Sequence, residues 1–594
     1  MTWKYITLPT LLFSILATAL LCLETHFTPG SKPLIAAPSL PPRSNTDYYM
    51  FGGSPSRNFV NTLEHNLSTE FPVDPEDPSQ HIIGDRLVRK LKLGNRAYGG
   101  PTIAAGRIYV GTNNENPRND RDRKARFPCD EPVPLDKGIL MCFDEKSGDF
   151  LWQAVHDKLE LSTIFSDWPK VGIVSTPVVR DNRVYYVSNR CELMCVDAKG
   201  LTNGNDGMKK EQYSTKIDAD VIWKLDLIAE LKVFPHSISS CSPLIVGDLI
   251  YVVTSNGVDE AHISLPAPEA PSFIAVNKWT GKIVWQSNLP GINIMHGQWS
   301  NPAYGEINNV PQVVFPGGDG WLYSFEPLTG KLLWKFDANP KDAVWQNGGK
   351  GTKSYFIGTP VIYNQHVYIG VGQDPEHFEG VGYFWCIDAS KRGDISKDLL
   401  ISGKGAEVKT KPNPNSGAVW VYGGFTPEKF GLRDYEFGRT ISTACIIDDI
   451  VYIAELAGYV HCLDAKTGKC YWHFDTRSLI WGSCYYVDGK ILVANEDGVL
   501  YFFKHLKSPK NYHMRAITHQ AGTNAYEKAI GNEKAKVTAA NLEIRTKSRE
   551  LYQKIKHDLL VQRIEFEEAI RGTPIVANGL LYIQTEEHLY VIKK

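Results

Sequence analysis

A ten-residue phrase occurs four times along the chain, as FDEKSGDFLW (Phe143 to Trp152), VNKWTGKIVW (Val276 to Trp285), FEPLTGKLLW (Phe325 to Trp334) and LDAKTGKCYW (Leu463 to Trp472). In each copy a polar or acidic residue (Asp144, Asn277, Glu326, Asp464) stands four positions before a glycine, and a tryptophan stands four after it. The spacing predicts a β-hairpin: the Asp, Asn or Glu accepts turn amides, Gly supplies a positive φ, and Trp lies on the returning strand. Two altered copies, MCVDAKG (Met194 to Gly200) running on to Trp223 and WCIDASKRGD (Trp385 to Asp394) running on to Trp420, carry insertions within the hairpin. Repetition on this scale implies stacked or circular units.

A second element precedes each phrase. Short β-rich pairs of runs follow a small-residue or Pro start at Gly100, Ser175, Cys241, Ser300, Gly358, Ser442, Gly482 and Gly572. Each pair is a hairpin, so with the Trp hairpin every unit becomes a four-stranded antiparallel sheet, the blade of a propeller. The last unit stops at Leu589 to Lys594 without a fourth strand, while Asp85 to Leu93 (DRLVRKLKL) is a strand with no unit before it. The fold expected is therefore all-β: an eight-bladed propeller closed by its N-terminal strand, which removes two open sheet edges.

The repeat resembles that of the pyrroloquinoline-quinone (PQQ) proteins of the quinoprotein alcohol dehydrogenase-like superfamily, from about Asp85 to the end. The segments MFGGSPSRNFVN, HGQWSNPAYG, PGGDGWLYSFEP, GVGQDPEH and EFGRTIST resemble envelope PQQ-binding-like propellers of unassigned activity. That resemblance implies a fold rather than a chemistry, because the same repeat builds true quinoproteins and non-catalytic scaffolds such as the lipoprotein of the outer-membrane β-barrel assembly machinery. True quinoprotein dehydrogenases carry a vicinal Cys-Cys pair against the quinone, and this chain has no adjacent cysteines. No segment matches their calcium ligands or catalytic Asp.

Composition excludes other classes. With 64 basic and 66 acidic residues the formal net charge is −2, which leaves no field for nucleic acid or an acidic membrane face. Residues 1–27, with the apolar run Tyr5 to Leu23, read as an export signal peptide or a membrane anchor, the chain's one link to a membrane. Residues 28–84 read as a Pro- and Ser-rich linker and N-terminal extension, and 85–594 as the propeller. The expected location is periplasmic or elsewhere in the cell envelope. Cys142, Cys195, Cys386 and Cys462 recur at one strand position in different blades, as small buried fillers would; a Cys462–Cys470 bridge is the disulfide the hairpin geometry allows. The absence of C-x-x-C-H excludes covalent haem.

In a propeller the loops after each second strand and the loops between blades share one face. On it fall candidates for cofactor binding (His296, Gln298, Trp299, Arg439, Trp481), for a metal such as Ca²⁺ (Asp259, Glu260, Asp374, Glu376) and for catalysis (Asp319, His377). The plain alternative is turn chemistry for the Asp and Asn residues, and packing for Trp299 and Trp481. Residues 523–571 form an insertion before the last blade, helical over Glu533 to Ile570 by composition, with Tyr552, Ile555 and Leu559 on one stripe; the expectation places it on the candidate face, as a packed hairpin, a lid or a partner-docking arm. Neutral charge, missing redox signatures and this insertion favour an exported binding or assembly scaffold with an envelope protein partner. The alternative is a PQQ- and Ca²⁺-dependent oxidoreductase acting on an alcohol or sugar, with a small molecule on the loop face. In it Asp374 or Glu376 would ligate Ca²⁺, His377 or Asp319 would be the base, and Trp299 or Trp481 would stack the quinone.

Overall fold

The computed structural model of the protein describes residues 46–76, 81–126, 129–159, 166–377, 379–430, 433–507, 512–513 and 558–594. The signal or anchor segment and residues 523–557 of the insertion lie outside them. Among the described residues no helix is long and apolar enough to cross a membrane.

Eight antiparallel sheets form the blades of a propeller. Their innermost strands are Thr102–Ala104, Val178–Arg180, Leu244–Val246, Ala303–Ile307, Val361–Tyr363, Cys445–Ile447, Tyr485–Val487 and Ile575–Ala577. The eighth blade takes its fourth strand from the other end of the chain, as expected: Leu87–Lys92 pairs antiparallel with His588–Lys593, Leu91 facing Leu589 and Lys92 facing His588. Leu91 and Leu93 are buried there.

The repeated phrase does two jobs. Asp144 Oδ1 accepts the Lys146 and Ser147 amides at 3.0 and 2.7 Å, and Asp464 and Asn277 accept the equivalent pairs, which closes the hairpin. Each tryptophan then ties its blade to the next. Trp152, Trp223, Trp285 and Trp420 donate Nε1–H to the carbonyls of Ala198, Lys278, Pro327 and Ala465, the third position of the following blade's phrase. Trp334 reaches the same place through Gln312, whose Oε1 accepts the indole proton while its amide donates to Ala389.

The phrase's glycine is required by that contact as well as by the turn. Gly281 has φ +70° and a Cβ there would lie 2.7 Å from the Trp223 ring; Gly330 and Gly468 meet Trp285 and Trp420 in the same way. Gly281→Ala should therefore cost about 2–4 kcal/mol, from left-handed strain plus overpacking. Gly489→Ala is the control, since Gly489 shares φ +70° but has nothing within 4 Å of its Cβ. Equal losses of the two variants in urea denaturation would show that the indole contact is not what demands glycine.

The small-residue starts form a belt around the channel. Ser242 Oγ meets the Thr176 amide, Asn301 Oδ1 the Ser242 amide, Thr443 Oγ1 the Thr359 amide, Ser483 Oγ the Thr443 amide and Thr573 Oγ1 the Ser483 amide. Short polar side chains at these positions let the blades converge while these five inner amides keep partners.

Residues 48–61 close the axis below this belt and bond to all eight blades. Tyr48 exchanges two backbone bonds with Ile103 of blade one, and the carbonyls of Tyr49, Pro55, Ser56 and Phe59 accept the amides of Val179, Tyr304, Ile362 and Tyr486. Asn58 bonds both backbone groups of Ile446, and Asn61 Nδ2 donates to Val576 O. Arg57, fully buried, donates Nη2 to Ser242 O at 2.9 Å, Nε to Pro302 O at 2.8 Å and Nη1 to Phe51 O at 2.9 Å. The free inner edges of the blades are thus capped by the chain's own N-terminal segment.

Two expectations need correction. Glu533 to Ile570 is not helical throughout: Leu560–Glu565 is the fourth strand of blade seven, paired with Val499–Phe503. The third strand of that blade ends at Lys504 and the fourth begins at Leu560, both on the face opposite the candidate loops, while Arg571 lies back on the candidate face. Cys462 and Cys470 are both free and buried, because Cys462 faces Trp472 while Cys470 faces Leu463. Cys142, Cys195 and Cys386 likewise each face a Trp across the hairpin (Trp152, Trp223, Trp420).

Candidate functional site

The inter-blade and second-to-third-strand loops surround a cavity of about 310 Å³ at the channel mouth. Phe51 of the axial segment lines it, with the hydroxyl belt and the aromatic residues Tyr98, Trp168, Trp299 and Trp481. Few charges reach it: Asp374, Glu376 and Arg571. Arg571 is engaged by Glu496 and Glu586, and its guanidinium lies 5.3 Å from the Tyr98 ring centre and 5.5 Å from that of Trp481. Trp168 is 38% exposed at the rim of the cavity.

On one side of the cavity the fold gathers imidazoles from two blades and their junctions. His236 comes from the loop between blades two and three, His262 from the second-to-third-strand loop of blade three, and His296 from the loop between blades three and four. Asp374 and His377 come from the corresponding loop of blade five. His236 Nδ1 donates to Val258 O at 2.9 Å, which leaves its Nε2 lone pair facing His262 Nε2 at 3.1 Å. His296 Nδ1 lies 2.9 Å from the Tyr355 hydroxyl and 3.1 Å from Asp374 Oδ2, while its buried Nε2 has no partner. His377 Nδ1 is 3.0 Å from Asp374 Oδ2.

Electrostatics follow from this crowding. Burial first, and then the neighbouring His296 and His262, push the His236 imidazole down to about 4, so it is neutral at ordinary pH. Burial and His296 also lower His262. Burial alone would raise the Asp374 carboxyl, but His296 and Tyr355, hydrogen-bonded to it, and the nearby His377 imidazole hold it well below the usual carboxylate range.

The structure thus brings His296, Trp299, Asp374 and His377 together and separates the others. Asp259 accepts the amides of Ile263 and Ser264 in its own loop, and Glu260 is exposed. Gln298 is buried, donating to Asn256 O and Ser272 Oγ. Arg439 donates to the carbonyls of His377, Gly349 and Gly351 and so clamps two loops. Asp319 sits buried under Tyr323, burial pushing its carboxyl up to about 7, away from the residues lining the cavity. Trp481 and Glu376 line the cavity without joining the imidazole group. His262 escaped sequence reasoning because it stands alone in the loop AHISLPAP. The available signal was that this loop lies between those carrying His236 and His296.

This geometry is that of a repeat propeller with a closed-bottomed loop-face cavity. The family model of the outer membrane protein assembly factor BamB matches residues 96–287, 136–373 and 436–543, more than half of the chain, and the chain belongs to that family of PQQ-type repeat propellers. Among solved structures it is similar to BamB from Moraxella catarrhalis, with 12% identity, 86% of this chain and 97% of that one covered, and a TM-score of 0.43. The computationally designed Ika8 protein matches with 10% identity, coverages of 86% and 100% and a TM-score of 0.43. Quinohemoprotein alcohol dehydrogenase from Comamonas testosteroni matches with 11% identity, 77% of each chain covered and a TM-score of 0.39. No curated protein matches the chain.

PQQ, which the quinoprotein branch of this fold carries, does not fit the residues present. A tricarboxylate needs cations, and the one guanidinium lining the cavity among the described residues, Arg571, is already held by two carboxylates. The Ca²⁺ that accompanies it needs six to eight oxygens. Asp374 spends Oδ2 on Tyr355 and His296 and Oδ1 on the Glu376 amide.

Proposed function

We propose that the protein is an exported, non-catalytic propeller of the cell envelope that binds a partner protein through its channel mouth, as an assembly scaffold. The observation that carries this reading is the cavity itself, closed below by residues 48–61, walled by Tyr98, Trp168, Trp299 and Trp481, and ringed by Ser and Thr hydroxyls. Aromatic walls with hydroxyls between them suit an apolar side chain flanked by peptide amides. Membership of a family named for outer-membrane protein assembly supports the same reading.

Photo-crosslinking from position 168 in intact envelopes tests it. A discrete protein adduct should form and should be lost when Trp481→Ala is added, without loss of the fold. Absence of any adduct would count heavily against the proposal. Titration with PQQ and Ca²⁺ should leave the quinone absorbance unchanged; saturable binding abolished by Asp374→Ala would replace the scaffold reading with an oxidoreductase.

A further inference from the structure

We infer that His236, His262 and His296 form a three-histidine site for a borderline divalent transition-metal ion, zinc being the first choice, beside the channel-mouth cavity. One nitrogen from each ring lies within 4.8 Å of the other two. Two imidazole Nε2 atoms 3.1 Å apart must share either a proton or a cation. Tetrahedral coordination with Zn–N bonds of about 2.0–2.1 Å places ligand nitrogens about 3.3 Å apart, close to the 3.1 Å between His236 and His262. His296 supplies the third lone pair, since its Nε2 is buried and unpartnered while its Nδ1 is taken.

The surroundings are those a metal site needs. Asp374 and the Val258 carbonyl engage the distal nitrogens of His296 and His236, which fixes both rings with Nε2 free for a metal. An all-imidazole set selects zinc, copper or nickel over Mg²⁺ and Ca²⁺. Three protein ligands leave a fourth position for water or an anionic group of a bound molecule. His296 itself lines the cavity, so the ion would adjoin whatever occupies it. Two other groups are poorer hosts: in His296, Asp374 and His377 the carboxylate already accepts from Tyr355, and in His461, Cys470 and His473 the first imidazole already bonds Glu455 and Tyr422 through its two nitrogens, while burial pushes the Cys470 thiol up to about 12.

The test uses the full chain without a polyhistidine tag, stripped with chelator and titrated with Co²⁺ and Zn²⁺. One equivalent of Co²⁺ should give the visible absorption of a tetrahedral site, displaced by Zn²⁺, and Zn²⁺ should raise the melting temperature. His262→Ala, in a half-buried loop residue, should melt like the stripped parent yet weaken Zn²⁺ binding more than 10-fold and abolish the shift. Asp374→Asn, a positioning change, should weaken it 10- to 100-fold. No Co²⁺ spectrum at 1:1 metal, or one equivalent held equally well by His262→Ala and His296→Gln, would overturn the inference.

Discussion

A chain shortened to begin at Gly94 should fail to unfold cooperatively at the parent's temperature, whereas one beginning at Thr46 should melt as the parent does. The shorter chain loses two things at once. Blade eight is left with three strands and an open edge along His588–Lys593, and Leu91 and Leu93 no longer bury against it, about 1.5–3 kcal/mol each. The inner edges of all eight blades also lose the segment that caps them. A chain beginning at His81 keeps the closing strand and loses the axial segment, so it separates the two contributions. It should melt cooperatively but earlier than the parent, and circular dichroism with calorimetry would read all three. A Gly94 chain that melted with the parent would disprove closure by Leu87–Lys92.

Arg57→Ala should cost about 3–5 kcal/mol, the largest loss expected from a single side chain outside the hairpins. Burial pushes the guanidinium down to about 10, so it stays charged at neutral pH, with its charge resting on three carbonyls. Removing it leaves those carbonyls without donors in a space closed to water, and the penalty for orphaned buried acceptors exceeds the net worth of the bonds themselves. Arg57→Lys should recover less than half of the loss, because an ammonium cannot reproduce the planar fork that reaches Phe51, Ser242 and Pro302 together. Urea denaturation with an unchanged m-value measures both. A loss below about 1 kcal/mol for the alanine variant would mean that the axial segment is held mainly by its backbone bonds.

The ring was legible because its repeat is local. A hairpin whose Asp, Gly and Trp keep fixed spacing declares itself within ten residues, and the unpaired strands at the two ends declare closure. Blade seven hid its fourth strand for the opposite reason. Its run LVQRIE carries no Trp and follows Lys- and Glu-rich sequence of helical composition, and it is a strand because Val499–Phe503 offers an edge, so tertiary pairing overrides propensity. Residues 48–61 were read as linker sequence because nothing near them in the chain is their partner; Arg57 finds its carbonyls 185 and 245 residues away. The imidazole group was half visible: His236 and His296 lie in inter-blade loops and His377 in the DPEH loop, but three of its donors join only when blades three to five curve around the axis.

The axial segment and the closing strand also order events in time. Both lie ahead of the first seven blades in the chain, yet the edge that receives Leu87–Lys92 follows all seven of them. Until His588–Lys593 exists, the strand Leu87–Lys92 has no partner and the ring keeps two open edges. Closure of the ring is therefore a late step that joins sequence made before the first blade to sequence made after the seventh. A chain stalled or cleaved before its final hairpin would hold most of its blades and still present two open β edges to its surroundings.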